Sequence, residues 1–278
     1  MVTSSNRFGA LGRAGLTYLP PAMPMEAPRS LIEPQKSRKD PSLPPHALLV
    51  FTPHDLHACL SLLDGCWEKP HRLFLSDVMV GWYGGTQTAV LGPMLGAPQA
   101  VLVLEKAMAL GVRRVIAFGW CGSLQPHVAI GDVILPTEGY SEEGTSAHYP
   151  VEEPVAPSPS LMKSLRSSLC VAGLTVHEGK VWSTDAPYRE TEGKVRAYQA
   201  RGALGVEMEM AALLTVAAFR RIDLAGALVV SDDLSRLVWR HGFRDPRFLQ
   251  ARKVLPGRLL EALTAESPSG NRSRSGKG

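Results

Sequence analysis

Strand-like and helix-like segments alternate along the middle of this chain, and this alternation limits the possible folds more than any other feature of the sequence. Runs rich in branched and aromatic residues predict strands at residues 47–51, 73–82, 114–118, 132–135, 174–182 and 224–230. The segments between these runs have helical character. We therefore predict an α/β fold, a single domain with a central mixed β-sheet flanked by helices.

Helix boundaries can be placed from proline and apolar spacing. Pro98, Pro159 and Pro246 are typical first-turn prolines. Apolar side chains at i, i+3 and i+4 spacing predict a further helix over residues 208–221. Pro256 is expected to break or kink the last helix, because its ring cannot continue the hydrogen-bond pattern.

Composition divides the chain into one domain and two tails. Residues 1–45 are rich in Pro, Ser and Arg, and residues 265–278 in Ser, Gly, Arg and Lys, so both are predicted to be disordered tails. Residues 46–264 form the predicted domain. A 278-residue chain with 45% hydrophobic residues is long enough to bury a substantial core there.

Several classes of protein are disfavoured by composition. The net charge is only +4, and the basic clusters of the tails lack interleaved aromatic residues, so we expect no nucleic-acid partner. Charged residues interrupt the longest apolar runs, which predicts no membrane span. Four cysteines without a Cys-x-x-Cys spacing indicate free thiols and a cytoplasmic protein, and no motif indicates a metal or an organic cofactor.

Three predicted loops carry polar or small residues where a plain core would not need them: 119–124, 207–209 and 231–233. In the first, which includes Cys121 and Gly122, glycines allow a tight turn in which the backbone can approach a ligand, although for this loop alone an ordinary strand-to-turn connection is the favoured explanation. Ligands of α/β sheets bind beyond the carboxyl ends of strands. We therefore expect the three segments to meet at one site.

The acidic residues of these segments have two interpretations. Glu207 and Glu209 precede an apolar helix, where they could simply face the helix dipole or could accept hydrogen bonds from ribose hydroxyls. Asp232 could be a helix cap. It could equally be an acid that protonates a departing base.

Several motifs, taken in order and spacing, resemble the nucleoside phosphorylase superfamily, especially uridine phosphorylases. The likeness covers roughly residues 46–263 and includes the segments 111–116, 122–126, 131–134, 144–149, 207–214 and 230–232. The resemblance implies the family's mixed sheet wrapped by helices, a nucleoside as partner and a homo-oligomer, either a dimer or a hexamer. It implies that Met208 and Glu209 hold the ribose, and that Asp232 is the acid found in purine-handling members.

The sequence departs from the family where phosphate binds. The family's Gly-Asp-Pro-x-Arg loop is replaced by residues 51–55, and Ala117 stands in place of an arginine. Phosphate could instead contact backbone amides at 119–122, or Arg189. Hydrolytic relatives use a carboxylate near the end of the first strand to activate water, and Asp55 could serve in that role.

The sequence therefore predicts a nucleoside phosphorylase-like pentosyltransferase. It would cleave the N-glycosidic bond of a purine or pyrimidine (deoxy)ribonucleoside, with inorganic phosphate as co-substrate and no cofactor. Because the phosphate arginines are missing, two alternatives stay open, a hydrolytic nucleosidase and a non-catalytic nucleoside-binding protein.

Overall fold

The structure, a computed structural model, describes residues 30–151 and 155–265. Strands and helices alternate through them as expected. In chain order the elements are β1 (His46–Val50), α1 (Pro53–Leu60), β2 (His71–Leu73), β3 (Ser76–Tyr83), β4 (Thr86–Gly92), α2 (Ala97–Leu110), β5 (Arg114–Ser123), β6 (Val133–Ser141), α3 (Pro159–Cys170), β7 (Val176–Ser183), α4 (Glu192–Ala200), β8 (Ala203–Glu207), α5 (Met210–Arg220), β9 (Asp223–Asp233), β10 (Arg240–His241) and α6 (Pro246–Thr264).

One mixed sheet contains all these strands, in the order β10-β9-β6-β7-β8-β5-β1-β4-β3-β2. Strand β5 pairs with β9 as well as with β8, so β5, β9, β6, β7 and β8 close into a ring, and β1, β4, β3 and β2 extend from it. The pairs β1–β5 and β5–β9 are parallel, whereas β5–β8 and β6–β9 are antiparallel. The predicted α/β class and mixed sheet are confirmed.

The central strands are buried because helices cover them. The apolar residues of β1, β5 and β9 are almost completely inaccessible, as is usual for parallel strands enclosed by helices. Helix α6 packs on α1 and α3, and α5 packs on α2. This packing fixes the strand ends from which the functional side chains project.

The proline signals were correct at helix starts, but the break considered at Pro256 does not occur in the last helix. Pro98, Pro159 and Pro246 lie in the first turns of α2, α3 and α6. Helix α6 runs through Pro256 without a break, although its amide can donate no hydrogen bond. Pro256 is buried with the apolar face of α6, and this packing outweighs the loss of one hydrogen bond.

Two of the predicted loops belong to strands. Residues 119–123 continue β5, and residues 231–233 are the end of β9, so the prediction of loops at these positions is wrong. Strand β4, which was not predicted, follows Gly84 and Gly85, whose φ values of 54° and 80° form a tight hairpin turn. Strand β8 was missed as well, because five residues between two helices give a weak periodic signal.

The predicted boundary at residue 45 lies inside a packed segment. Contacts divide the chain into Met1–Glu33, of which only residues 30–33 are described, and Pro34–Gly278. Within the second unit Leu43 is buried and its amide donates to Leu110 O at 2.8 Å, while Lys106 Nζ lies 2.6 Å from Asp40 Oδ2. The predicted tail segments 1–29 and 266–278 lie outside the described residues.

None of the helices in the described ranges is long and apolar enough to cross a membrane.

Candidate active site

A cavity of about 450 Å³ opens where β5, β8 and β9 end. These ends bring together residues that are far apart in the sequence. The cavity is lined by Trp120, Cys121, Gly122, Pro187, Tyr188, Glu190, Val206, Glu207, Met208, Ser231, Asp232, Leu234 and Trp239. The three sequence segments expected to meet at one site therefore all contribute to one pocket.

A β-bulge shapes the floor of this pocket. Cys121 pairs with Val230, but its neighbour Gly122 pairs with Asp232, so Ser231 is an extra residue in β9. A bulge of this kind places an unpaired residue and re-aims its neighbours. Ser231 and Asp232 consequently both line the pocket, although successive residues of a regular strand would face opposite sides.

Gly122 is required by the close approach of β9. A Cβ at this position would lie 2.9 Å from Asp232 Oδ2 and 2.6 Å from Leu234 Cδ1. Gly119 is required in the same way, because a Cβ there would lie 2.2 Å from the Phe51 ring. The glycines therefore serve close packing within a strand rather than a turn.

Two donors hold the Asp232 carboxylate, one on each oxygen. Ser231 Oγ donates to Oδ1 at 2.6 Å, and the indole Nε1 of Trp239 donates to Oδ2 at 3.0 Å. Trp239 lies in the loop between β9 and β10 and was not predicted as a site residue. The signal that could have indicated it was a tryptophan in the short segment 234–239, which follows the acidic end of the strand.

Glu207 and Glu209 are buried in different environments. Glu207 accepts hydrogen bonds from Ser183 Oγ and from the amides of Glu209 and Met210, both amides at 2.7 Å. Burial raises the pKa of Glu207, and these three donors oppose the rise. Glu209 Oε1 accepts from the Gly96 amide at 2.6 Å, and burial followed by the charge of Glu207 raises the pKa of Glu209.

Glu190 adds a further carboxyl to the pocket wall. Burial raises the pKa of Glu190 to about 7, and the negative charges of Asp232 and Glu142 add to the effect. No side-chain hydrogen bond to its carboxyl is found among the described residues, so the group can bond to a ligand. Glu190 was not predicted as a site residue from the sequence.

The matches with known proteins agree with this geometry. Residues 45–257 match the family model described as "Phosphorylase superfamily". The chain belongs to the phosphorylase superfamily. A guanosine phosphorylase of Halorubrum lacusprofundi is 32% identical over 152 residues, which is 54% of this chain and 62% of that protein. A uridine phosphorylase of Escherichia coli is 28% identical over 204 residues, 66% and 79% of the two chains.

Solved structures of superfamily members share the fold. A uridine phosphorylase from Vibrio fischeri has a TM-score of 0.73 at 23% identity and covers 81% of this chain and 93% of its own. A purine nucleoside phosphorylase from Toxoplasma gondii has a TM-score of 0.71 at 19% identity, with 80% and 91% covered. The predicted superfamily resemblance and fold are confirmed.

Of the eight site residues predicted from the sequence, five line the pocket and three do not. Cys121, Gly122, Met208, Asp232 and Glu207 all line the pocket. The other three predicted residues are not in the lining, and they are Glu209, Arg189 and Asp55. Sequence order alone could not separate the two groups, because all of them lie at or near ends of elements.

Two of these residues have surroundings that limit their chemistry. Arg189 is exposed on the turn that carries the pocket residue Tyr188. Cys121 is buried, and burial raises the pKa of its thiol well above the usual value, so the group is neutral at physiological pH. A thiolate nucleophile is therefore disfavoured at this position.

Asp55 lies behind the pocket wall in an ion pair. Trp120 Nε1 donates to Asp55 Oδ2 at 2.6 Å, and Thr52 Oγ1 donates to the same oxygen at 2.8 Å. Arg252 Nε donates to Oδ1 at 2.8 Å, and its guanidinium stacks on Trp120, 4.7 Å from the ring centroid. These contacts hold Trp120 against the pocket and occupy both oxygens of Asp55.

Within residues 30–151 and 155–265, no group of three His, Cys, Asp or Glu side chains is arranged to hold a metal ion.

Proposed function

We propose that this chain cleaves the N-glycosidic bond of a nucleoside with inorganic phosphate and releases free base and ribose 1-phosphate. The observation that carries the proposal is the convergence of Asp232, Glu207 and Met208 in one pocket of about 450 Å³. Relatives named guanosine, uridine and purine nucleoside phosphorylases support this reaction. The enzyme would be a pentosyltransferase.

The proposed reaction assigns a task to Asp232, Met208 and Glu209. As the bond from C1′ to the base nitrogen breaks, its electrons move to the base, and the carboxylic acid form of Asp232 gives the base its proton and becomes a carboxylate. Positive charge develops on the sugar, and a phosphate oxygen bonds to C1′. Met208 would pack on the ribose. Glu209 would accept hydrogen bonds from the ribose hydroxyls. Its carboxylate, which already accepts from the Gly96 amide, would have to give up that hydrogen bond or accept a further one beside it.

We favour a purine as the base. An acid at Asp232 is useful where a ring nitrogen accepts a proton on departure. The rings of Trp120 and Trp239 offer flat surfaces to a bicyclic base, and the Glu190 carboxyl can bond to its polar edge.

Water is the second candidate nucleophile, and the charge of the pocket favours it. The lining contains the carboxyls of Glu190, Glu207 and Asp232, and no Lys, Arg or His is among the lining residues described. A phosphate dianion is repelled by such a surface unless donors compensate. The donors that remain include the hydroxyls of Tyr188 and Ser231, the backbone amides near Gly122 and the exposed Arg189.

Product analysis with and without phosphate separates the candidates. Purified protein would be incubated with guanosine, inosine, adenosine and uridine, and base, ribose and ribose 1-phosphate would be measured. We expect base release that requires phosphate and produces ribose 1-phosphate. Equal release without phosphate, with free ribose as product, would replace the phosphorylase by a nucleosidase. Binding of a nucleoside without any turnover would favour a nucleoside-binding protein.

Three further expectations belong to this proposal. The chemistry needs no organic cofactor, because proton transfer and phosphate attack suffice. Oligomerisation is expected from the superfamily resemblance. A cytoplasmic location is supported by the four cysteines, which form no disulfide in the structure.

A further inference from the structure

Trp239 occupies an unusual position for its residue type. It lines the pocket, yet 61% of its surface is exposed in the described structure. A large aromatic ring gains stability by burial, and an indole N–H in a protein usually finds a partner. Here the N–H has found Asp232 Oδ2, at 3.0 Å, while much of the ring remains available to a ligand.

Strand β10 determines where this ring lies. His241 pairs with Asp232 and Arg240 with Asp233, and Arg240 Nη2 also forms an ion pair with Asp233 Oδ2 at 3.0 Å. The amide of Gly242 donates to Ser231 O at 2.8 Å. This short strand therefore anchors the loop residue Trp239 beside the end of β9.

The same segment connects the two tryptophans of the pocket. Every second residue of this segment, at 239, 241 and 243, carries a ring. The ring centroids of Trp239 and His241 are 5.6 Å apart, and those of His241 and Phe243 are 5.9 Å apart. Phe243 lies 6.1 Å from Trp120, on the other wall of the pocket. Trp239 is thus one end of a row of contacting rings.

We propose that Trp239 is the positioning residue of Asp232 and forms the wall on which the base lies. This inference rests on the proposed function, in which Asp232 is the acid. An indole N–H only donates, so it fixes the orientation of the carboxyl and stabilises the carboxylate left after proton transfer. A base that enters the pocket covers the exposed ring.

Other charged or titratable groups also face Asp232 and must be held constant in any test. They are Glu190 from the 187–190 turn, Cys121 from β5, Glu207 from β8, and Asp233, Arg240 and His241 from the paired ends of β9 and β10. Substitution of Trp239 leaves all of them in place. A change in the pH profile of the variant is therefore attributable to the lost indole.

Two substitutions separate the two tasks. Trp239→Phe keeps an aromatic wall but removes the N–H, and Trp239→Ala removes both. Trp82→Phe is the matched control, because Trp82 is 47% exposed on β3 and is not a pocket residue. Because Trp239 is exposed, we expect all three variants to keep the wild-type melting temperature, which would be measured first.

For Trp239→Phe we expect kcat to fall about tenfold to hundredfold with KM nearly unchanged, as for a weakened general acid. The pH dependence of its kcat/KM should also differ from that of the wild type, because one of the two donors to the Asp232 carboxyl is gone. Trp239→Ala should also weaken base binding by about tenfold. A Trp239→Phe variant that matches Trp82→Phe in kcat and in pH profile would overturn the inference.

Binding distinguishes failure of this inference from failure of the proposed function. If the wild-type protein binds guanine or hypoxanthine but turns over no nucleoside, the proposed function fails. Titration with free base then still tests whether the Trp239 ring forms the wall on which the base lies. Weaker binding by Trp239→Ala than by Trp82→Phe would support the wall. Equal binding by the two variants, or no binding by the wild-type protein, would overturn it.

Discussion

Replacing Asp55 by Asn should destabilise the protein without selectively removing its activity. The carboxylate receives hydrogen bonds from Thr52, Trp120 and Arg252, and its side chain is only 2% exposed. Asn keeps the shape of the Asp side chain, but its amide nitrogen cannot accept a hydrogen bond and would have to face one of these donors. Both the ion pair and at least one hydrogen bond are lost.

The size of the expected loss in the free energy of unfolding follows from these contacts. Breaking one side of a buried pair costs about 3–5 kcal/mol, and a hydrogen bond to a charged group contributes about 1.5–3 kcal/mol. The Arg252 side chain is 15% exposed, so water can partly solvate the guanidinium after the substitution. We therefore expect a loss of about 2–4 kcal/mol, or roughly 5–15 °C in Tm.

Thermal and urea unfolding would measure this loss, with Arg258→Met as control. Arg258 lies in α6, as Arg252 does, but its partner Glu261 is at the surface. Replacement of Arg258 should therefore lower the free energy of unfolding by less than about 1 kcal/mol. Base release would be compared at a temperature where every variant is folded. A variant with the wild-type Tm and base release lowered more than about 100-fold would refute the reasoning. Asp55 would then be a catalytic group.

Three further predictions follow from the site and its surroundings. Gly122→Ala should lower kcat/KM for base release at least about tenfold, because its Cβ would displace Asp232 and Leu234; unchanged steady-state kinetics would contradict this. Glu190→Gln should raise stability by about 1–2 kcal/mol at pH 8. The folded pKa of Glu190 is about 7, above its ordinary value of 4.5, so the ionised group costs stability as pH rises through that range. Urea unfolding at pH 8 and pH 4 checks the sign, since the gain should vanish at pH 4. Deletion through residue 45 should lower Tm more than deletion through residue 33, because it removes buried Leu43 and the Asp40–Lys106 pair; equal Tm values would place the boundary at 45.

The sequence predicted the framework of this fold well because its strongest signals are local. The first-turn prolines and the buried strands 47–51 and 224–230 correspond to observed elements. Pro256 shows the limit of local signals. Its effect on the helix depends on packing against α1 and α3, and neither helix adjoins it in sequence.

The site was harder to predict because it is assembled by pairing. Asp232 could be proposed from the end of an apolar strand, but the bulge at Ser231 that aims it exists only in the pairing of β5 with β9. Trp239 reaches the pocket through β10, a strand of two residues with no periodic signal. Asp55 had a plausible sequence position, yet its partner Arg252 comes from the other end of the chain.

The most direct test of the central claim is base release by Asp232→Asn beside Asp233→Asn. Both residues end β9, but only Asp232 lines the pocket, while Asp233 pairs with Arg240. We expect Asp232→Asn to lose at least about 100-fold in kcat with its fold intact, and Asp233→Asn to stay within about threefold of the wild type. Wild-type turnover by Asp232→Asn would contradict the claim that Asp232 protonates the departing base.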